Sequence, residues 1–247
     1  MVRARVRGVY STALTKLLLD HGFGIVQPSN TIKERFGLKE CIESPDLDIT
    51  DRRDRQGVQV FGKADSIDVL KSILQSCFDD VITRRWTVAL DGIYKGLIKG
   101  LDPTNHSVLI DIGLATGRVA GDEVSSPNLK HVVVQVEKRG MRFKEPALTT
   151  RIKIPGRYAV LTPNHQVRVS RRIRDWQKRS RLYQLGKELA PLKWGVLWRT
   201  ASADQPHDVL KGEINSLAKE GEAIMERAEK AEAPTTLWAG NYYMDVE

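Results

Sequence analysis

Residues 92–121, GIYKGLIKGLDPTNHSVLIDIGLATGRVAG, carry the reading of the fold. Short runs rich in Ile, Leu and Val alternate with Gly, Asp, Pro and Asn. Runs of about five residues between turn formers read as strands joined by tight turns. Gly96, Gly100, Gly113 and Gly117 give the chain room for sharp turns and close strand crossings. Further short runs lie on either side, WTVAL (86–90) and VVVQVEK (132–138). The count over 86–137 predicts a five-stranded OB-type barrel. The exposed face of such a barrel holds nucleotides by stacking and charge, which makes Tyr94 and Lys95 candidate contacts. Tyr94 would serve equally well as a core aromatic, because one aromatic cannot show its own direction.

The charge pattern points the same way. The net charge is +8, and it is unevenly placed. Residues 138–181 hold fourteen Lys or Arg against only Glu145 and Asp175, a surplus of +12 over 44 residues. Residues 204–247 hold four Lys or Arg against ten Asp or Glu, a net of −6. A block so one-sided repels itself unless a polyanion is near, and nucleic acid is the usual one. A basic helix that only aids solubility is the plainer alternative. Against it, the arginines fall in β-like and turn-like sequence as well as in helix.

Before the barrel, residues 1–85 read as a mixed α/β domain. Val2 to Tyr10 alternates Val with Arg as an edge strand does. Ser11 is placed to cap a helix running through Leu14, Leu17 and Leu18. GVQVF (57–61) reads as a strand, and Ile67, Leu70, Ile73, Leu74 and Cys77 form a helical stripe after Ser66. The polar stretch IESPDLDITDRRDRQG (42–57) reads as a loop. After the barrel, residues 138–247 read as a basic α/β domain. ALTTRIKI, RYAVLTP and VRVSRRI are β runs. A helix over 174–190 turns Trp176, Leu182, Leu185 and Leu189 to one side, and WGVLWRT (194–200) is a strand. A helix starting near Pro206 carries Leu210, Ile214, Leu217, Ile224, Met225 and Ala228. Residues 235–244 read as the start of another strand. The fold class is therefore α/β (α+β), with the barrel inserted between the first and last parts.

Composition bounds the rest. At 41% apolar and 28% charged residues, the chain has the make-up of a folded protein. No apolar run approaches the roughly 20 residues of a membrane span, and the start lacks a cleavage site for a signal peptide. Cys41 and Cys77 alone build neither a disulfide scaffold nor a Cys-rich zinc site. These features predict a cytoplasmic protein with no membrane partner. The chain ends without a linker or capping segment, as a piece of a longer protein would.

From IYKGLIKGLDP…SVLIDIG onward, the residues resemble the ribosomal-protein-S-one-type OB domain of the ribonuclease E/G family. VVVQVEKRGMRFKEPALTTRIKIPGRYAVLTPN, then VSRRI, then GVLWRTA follow that family's blocks in the same order over residues 92–201. A lone YKG would be weak, whereas ordered blocks including ALTT, G-x-Y-x-V-L-x-P-N, SRRI and RTA are specific. The opening residues and YSTALTKLLLDHGF…QPS…ERFGL are similar to a narrower group, the archaeal FAU family. The resemblance implies an RNA-binding protein and endoribonuclease. Its implied partners are AU-rich loops and ribosomal RNA precursors. A further C-terminal domain is also implied for that archaeal group.

The resemblance also implies a pocket for a 5′-terminal monophosphate, made by Arg199, Thr200 and the backbone around Gly156 and Val160. The residue types suit it. A guanidinium grips phosphate oxygens with two parallel bonds, a hydroxyl donates a third, and glycine lets the backbone come close. Pairing of Arg199 with a carboxylate from the acidic C-terminal helix is the competing reading. Lys144, by resemblance, and Arg171 and Arg172 beside Ser170 are candidate RNA contacts of the phosphate-gripping kind, which add affinity without sequence choice.

Departures from the family matter equally. Its magnesium-binding catalytic acids lie in a separate domain beyond the RTA block. Past Thr200 this chain offers one helix and about 15 further residues, too few for a two-metal fold. The zinc-linking Cys pair has no counterpart, and Leu109 stands where the family carries Phe. Catalytic residues are therefore not assigned, and no metal ligand or cofactor is. Asp91, Asp102 and Asp111 are the nearest to a magnesium set, but turn chemistry accounts for Asp91 and Asp102. His165 is the least implausible acid–base group. A non-catalytic RNA-binding protein and a DNA-binding OB protein stay open as rivals.

Overall fold

The computed structural model describes residues 1–41, 43–124, 129–138, 140 and 145–247. Two compact units emerge, one of residues 1–90 with 240–247 and one of residues 91–239.

The first unit contains β1 (Arg3–Val6), α1 (Ser11–Asp20), β2 (Gly24–Ile25), α2 (Asn30–Phe36), β3 (Leu47–Asp51), β4 (Val58–Gly62), α3 (Ala64–Cys77) and β5 (Thr83–Arg85). Its last strand comes from the C-terminal end of the sequence and is numbered below as β16. The sheet order is β2-β1-β3-β4-β16-β5. Alternate residues, among them Ala4, Val6, Leu47, Ile49, Val60 and Met244, form one apolar face with Leu18, Ile67, Leu70 and Leu74 of the helices. The opening Val/Arg alternation is an interior strand, not an edge, because β1 pairs with both β2 and β3. Arg5, opposite Asp48 on β3, pairs with it on the other face. Ser11 is the first helical residue and not the cap, which is Tyr10.

The stretch 42–57 is not wholly loop either. Leu47 and Ile49 are buried in β3, and the acidic residues between and around them conceal a period-two signal.

The second unit continues with β6 (Ile93–Asp102), β7 (Ser107–Asp111), β8 (Thr116–Ala120), β9 (His131–Lys138) and β10 (Ala147–Thr149). These pair in the cyclic order β6-β7-β8-β10-β9-β6, with only β8 and β10 parallel. The result is a closed five-stranded, OB-fold-like barrel within a mixed α/β architecture. WTVAL is not one of its strands: Leu90 makes an isolated bridge with Asn241, and the fifth strand is the ALT of β10.

Beyond the barrel lie β11 (Ile154–Pro155), β12 (Ala159–Thr162), β13 (Val167–Val169), α4 (Trp176–Leu189), β14 (Gly195–Trp198), α5 (His207–Lys230), β15 (Thr235–Trp238) and β16 (Tyr242–Val246). A four-stranded sheet runs β11-β12-β14-β13, and β15 pairs with β6 of the barrel. α5 has 24 residues, about 36 Å of helix. It buries Leu210, Ile214, Leu217, Gly221, Ile224 and Ala228, spaced alternately four and three apart. These join Ile154, Leu161, Val196, Trp198, Leu182 and the barrel's Ile93 in one core. Two side chains expected on the apolar faces lie outside it: Met225 is exposed, and so is Trp176 at the first turn of α4.

Candidate nucleic-acid interface

The predicted barrel contacts are turned inward. Tyr94 is 0% exposed and Lys95 only 8%. Along β6, side chains alternate, so Tyr94 lies on the barrel's interior face while Ile93 and Lys95 share the other. Ile93 enters the core of α5 and the four-stranded sheet. The Lys95 ammonium donates to the carbonyls of Ala228 at 2.7 Å and Ala231 at 2.8 Å. A cation there completes the C-terminal turn of α5, where carbonyls lack intrahelical donors. Neither side chain offers RNA a surface in this structure.

The pocket residues come together on the four-stranded sheet. Arg199 directly follows β14, with its side chain exposed, and donates through Nη1 to the Gly156 carbonyl at 2.7 Å. Its backbone N–H donates to the Tyr158 carbonyl at 2.7 Å, so the turn after β11 is tied to this arginine twice. Thr200 shares a hydroxyl–hydroxyl hydrogen bond of 3.0 Å with Ser170. Val160 sits on β12 opposite Leu197 of β14, half-buried. The competing carboxylate is not on Arg199: among the described residues, it has no ion pair within 4.0 Å.

The acidic helix contributes in a different way. Glu213 of α5 accepts from the backbone N–H groups of Tyr158 at 2.7 Å and Ala159 at 3.1 Å. A side chain at Gly156 would meet this carboxylate, Leu217 Cδ1 at 2.7 Å and the Ala159 carbonyl at 2.9 Å. Glycine is thus the residue that lets the turn close under Glu213. Sequence reading missed this clamp, whose only trace is a carboxylate spaced on the polar edge of the α5 stripe.

A second clasp fixes the barrel to the sheet region. Gln135 is buried, donates to the carbonyls of Asp91 at 2.9 Å and Lys153 at 2.8 Å, and accepts from the Lys153 N–H at 2.9 Å. Asp91, in a left-handed turn with φ 60°, has its carboxyl pushed above the usual range by burial, while Lys153 and Arg199 pull it back down. Asp102 and Asp111 are engaged elsewhere. Hydrogen bonding by Asn105, then by Arg118, lowers Asp102 to about 2, and Asp111 bonds to the Gly113 N–H at 2.8 Å and pairs with Lys99 at 3.0 Å. The three aspartates therefore have separate partners. Among the described residues, no group of three His, Cys, Asp or Glu side chains is placed to hold a metal ion. His165 occupies an exposed left-handed position after the β12 turn.

Arg171 and Arg172 are exposed beside Ser170, and neither has a carboxylate within 4.0 Å among the described residues. The guanidinium of Arg179 holds the same turn, donating to the carbonyls of Ser170 at 2.8 Å and Ile173 at 3.2 Å. Lys144 lies outside the described residues. Sequence reading also missed the open groove beside this turn, about 500 Å³, lined by Arg168, Val169, Arg171, Arg179 and Tyr183.

Exposed arginines beside the four-stranded sheet and a closed OB-fold-like barrel are features common among proteins that handle nucleic acid. Residues 153–245 match the Ribonuclease E/G family. The chain is 42% identical to "Probable ribonuclease FAU-1" of Thermococcus kodakarensis over 98% of its own length and 51% of that protein's. The same-named protein of Pyrococcus horikoshii is 40% identical, over 100% of this chain and 52% of the relative. That of Staphylothermus marinus is 31% identical, over 96% and 50%. The chain is thus similar over nearly its whole length to proteins named "Probable ribonuclease FAU-1" and, over residues 153–245, to the Ribonuclease E/G family. It spans about half the length of the curated relatives it matches. No helix among the described residues is long and apolar enough to cross a membrane.

Proposed function

We propose that this chain binds RNA through its basic four-stranded sheet and reads a 5′-terminal monophosphate at Arg199 and Thr200. It would work in the cytoplasm, in endoribonucleolytic maturation or degradation of ribosomal RNA precursors, with AU-rich loops among the regions it grips. The observation that carries the proposal is the state of Arg199. Its guanidinium is exposed, held by the Gly156 carbonyl and, among the described residues, free of carboxylates within 4.0 Å, while the next residue, Thr200, bonds to Ser170 on the β13 side. Such a group takes a phosphate with charge-assisted bonds. Val160 and Gly156 shape the floor, and Arg171, Arg172 and Lys144 extend the grip along the backbone. Tyr94 and Lys95 are left out because both are buried. The ribonuclease half rests on the relatives' printed name, and its catalytic groups are unassigned.

One experiment covers both halves. Purified protein is mixed with labelled precursor RNA bearing either a 5′-monophosphate or a 5′-hydroxyl, with and without magnesium. We expect tighter binding of the monophosphate, loss of that preference in Arg199→Ala, and specific cleavage products. Equal losses for both ends would refute the pocket. Intact RNA under every condition, despite binding, would leave a non-catalytic RNA-binding protein.

A further inference from the structure

The groove between β13 and α4 lies on the side of β13 away from β14, since β13 is the edge strand of its sheet. Gly186 makes the groove narrow. A side chain there would meet Val167 Cγ1 and, at 2.8 Å, Trp198 Nε1, so α4 can close on β13 only with glycine at this position. The walls combine two chemistries. Arg168, Arg171 and Arg179 supply positive charge, and among the described residues none has a carboxylate within 4.0 Å. Arg179 is held in place by the carbonyls of Ser170 and Ile173, and Arg168 by the Gln166 side-chain oxygen at 2.7 Å. Their geometry is therefore set before any ligand arrives.

The aromatic component comes from α4. Tyr183 is 41% exposed and lines the groove, and the Lys187 ammonium lies 4.8 Å from its ring centroid. That cation covers one face of the ring and steadies it. Trp176, 73% exposed, Ser180, Tyr183 and Lys187 are spaced four, three and four apart and so share one helix face. An aromatic ring beside fixed guanidinium groups matches a single-stranded nucleotide, whose phosphate takes the charge and whose base takes the ring. A folded protein partner would need carboxylates for three arginines at once, whereas a single-stranded nucleic acid such as RNA supplies a regular row of anions with planar bases.

We propose that this groove is a second nucleotide subsite, separate from Arg199 and Thr200, that binds an internal phosphodiester of single-stranded RNA on Arg168 and Arg171 and stacks the adjoining base on Tyr183. The inference rests on the RNA-binding reading and adds an internal contact that needs no 5′ end. It is tested on the whole chain with two probes, a ten-nucleotide oligouridylate with a 5′-hydroxyl and an abasic oligomer of the same length. Tyr183→Ala is expected to weaken oligouridylate binding by about tenfold and to leave the abasic probe unchanged, while Tyr183→Phe keeps wild-type affinity. Arg168→Gln is expected to weaken both probes and to lower the salt slope by about 0.7. Wild-type binding of oligouridylate by Tyr183→Ala and Arg168→Gln would overturn the subsite and leave RNA binding standing. An equal loss of both probes in Tyr183→Ala would overturn the stacking assignment. Failure of the wild-type chain to bind any RNA, including one with a 5′-monophosphate, would overturn the underlying reading as well.

Discussion

The barrel and the four-stranded sheet belong to one compact unit, yet they use their cations in opposite ways. Lys95 is buried in the wall of the barrel and joined to two carbonyls at the end of α5. Arg118 bridges Asp102 and Glu145 across the barrel surface. Beside the sheet, the Arg199 guanidinium is held by a carbonyl, and among the described residues Arg171 and Arg172 have no carboxylate within 4.0 Å. The barrel is the part that makes the chain recognisable and still exposes Lys130 and Lys138, while the turns beside the sheet expose Arg171, Arg172 and Arg199. Resemblance to a binding fold is therefore a poor guide to which surface binds. The direction and partners of each cation decide it.

The largest expected effect is structural. Lys95→Ala removes two charge-assisted bonds and leaves two carbonyls of the α5 end without a donor, at a cost of about 3 kcal/mol. Denaturant titration would show that loss, while RNA affinity of the folded fraction should stay at the wild-type level. A large drop in affinity without a drop in stability would return Lys95 to the binding surface.

Next comes the clamp. Glu213→Ala leaves the N–H groups of Tyr158 and Ala159 without their acceptor and frees the turn that aims Arg199, with about 2 kcal/mol lost in stability. Preference for a 5′-monophosphate should fall with it. Glu213→Gln, whose amide oxygen still accepts, should restore most of the preference. If Gln and Ala behave alike in end preference, the clamp has no part in the pocket.

The smallest effect separates the barrel's charge use from the sheet's. Asp102 is held at about 2 when folded, below its unfolded value of about 3.9. A depressed carboxyl stabilises fully above the unfolded value and loses that contribution as pH falls through the folded one. The stability gap between wild type and Asp102→Asn should therefore be constant at neutral pH and close as the pH drops from about 4 to about 2. A gap unchanged down to that pH would contradict the Asn105 and Arg118 assignment.

Much of this was legible in the sequence, for reasons that differ by element. Short β runs with glycine turns announced the barrel, and the 3.6-residue stripe announced α5. WTVAL misled because an apolar run of five residues does not say whether it pairs in the barrel. The strand Leu47–Asp51 stayed hidden because two buried side chains were outnumbered by polar neighbours. Arg199 and Gly156 stood out only through the motif, and the structure joins them by one hydrogen bond from the guanidinium to the Gly156 carbonyl. The directions of Tyr94 and Lys95 were not, because one residue of slip exchanges the faces of a strand. Glu213 showed only as a carboxylate on the polar edge of the α5 stripe, since its role exists only where α5 meets the β11–β12 turn.

The most direct test of the central claim compares two double variants by the salt dependence of their affinity for single-stranded RNA. One is Arg171→Gln with Arg172→Gln on the sheet side. The other is Lys130→Gln with Lys138→Gln, two exposed lysines of the barrel. Each lost phosphate contact lowers the slope of log affinity against log salt by about 0.7, so the sheet pair should lower it by about 1.4 and the barrel pair should leave it unchanged. A drop confined to the barrel pair would contradict the account.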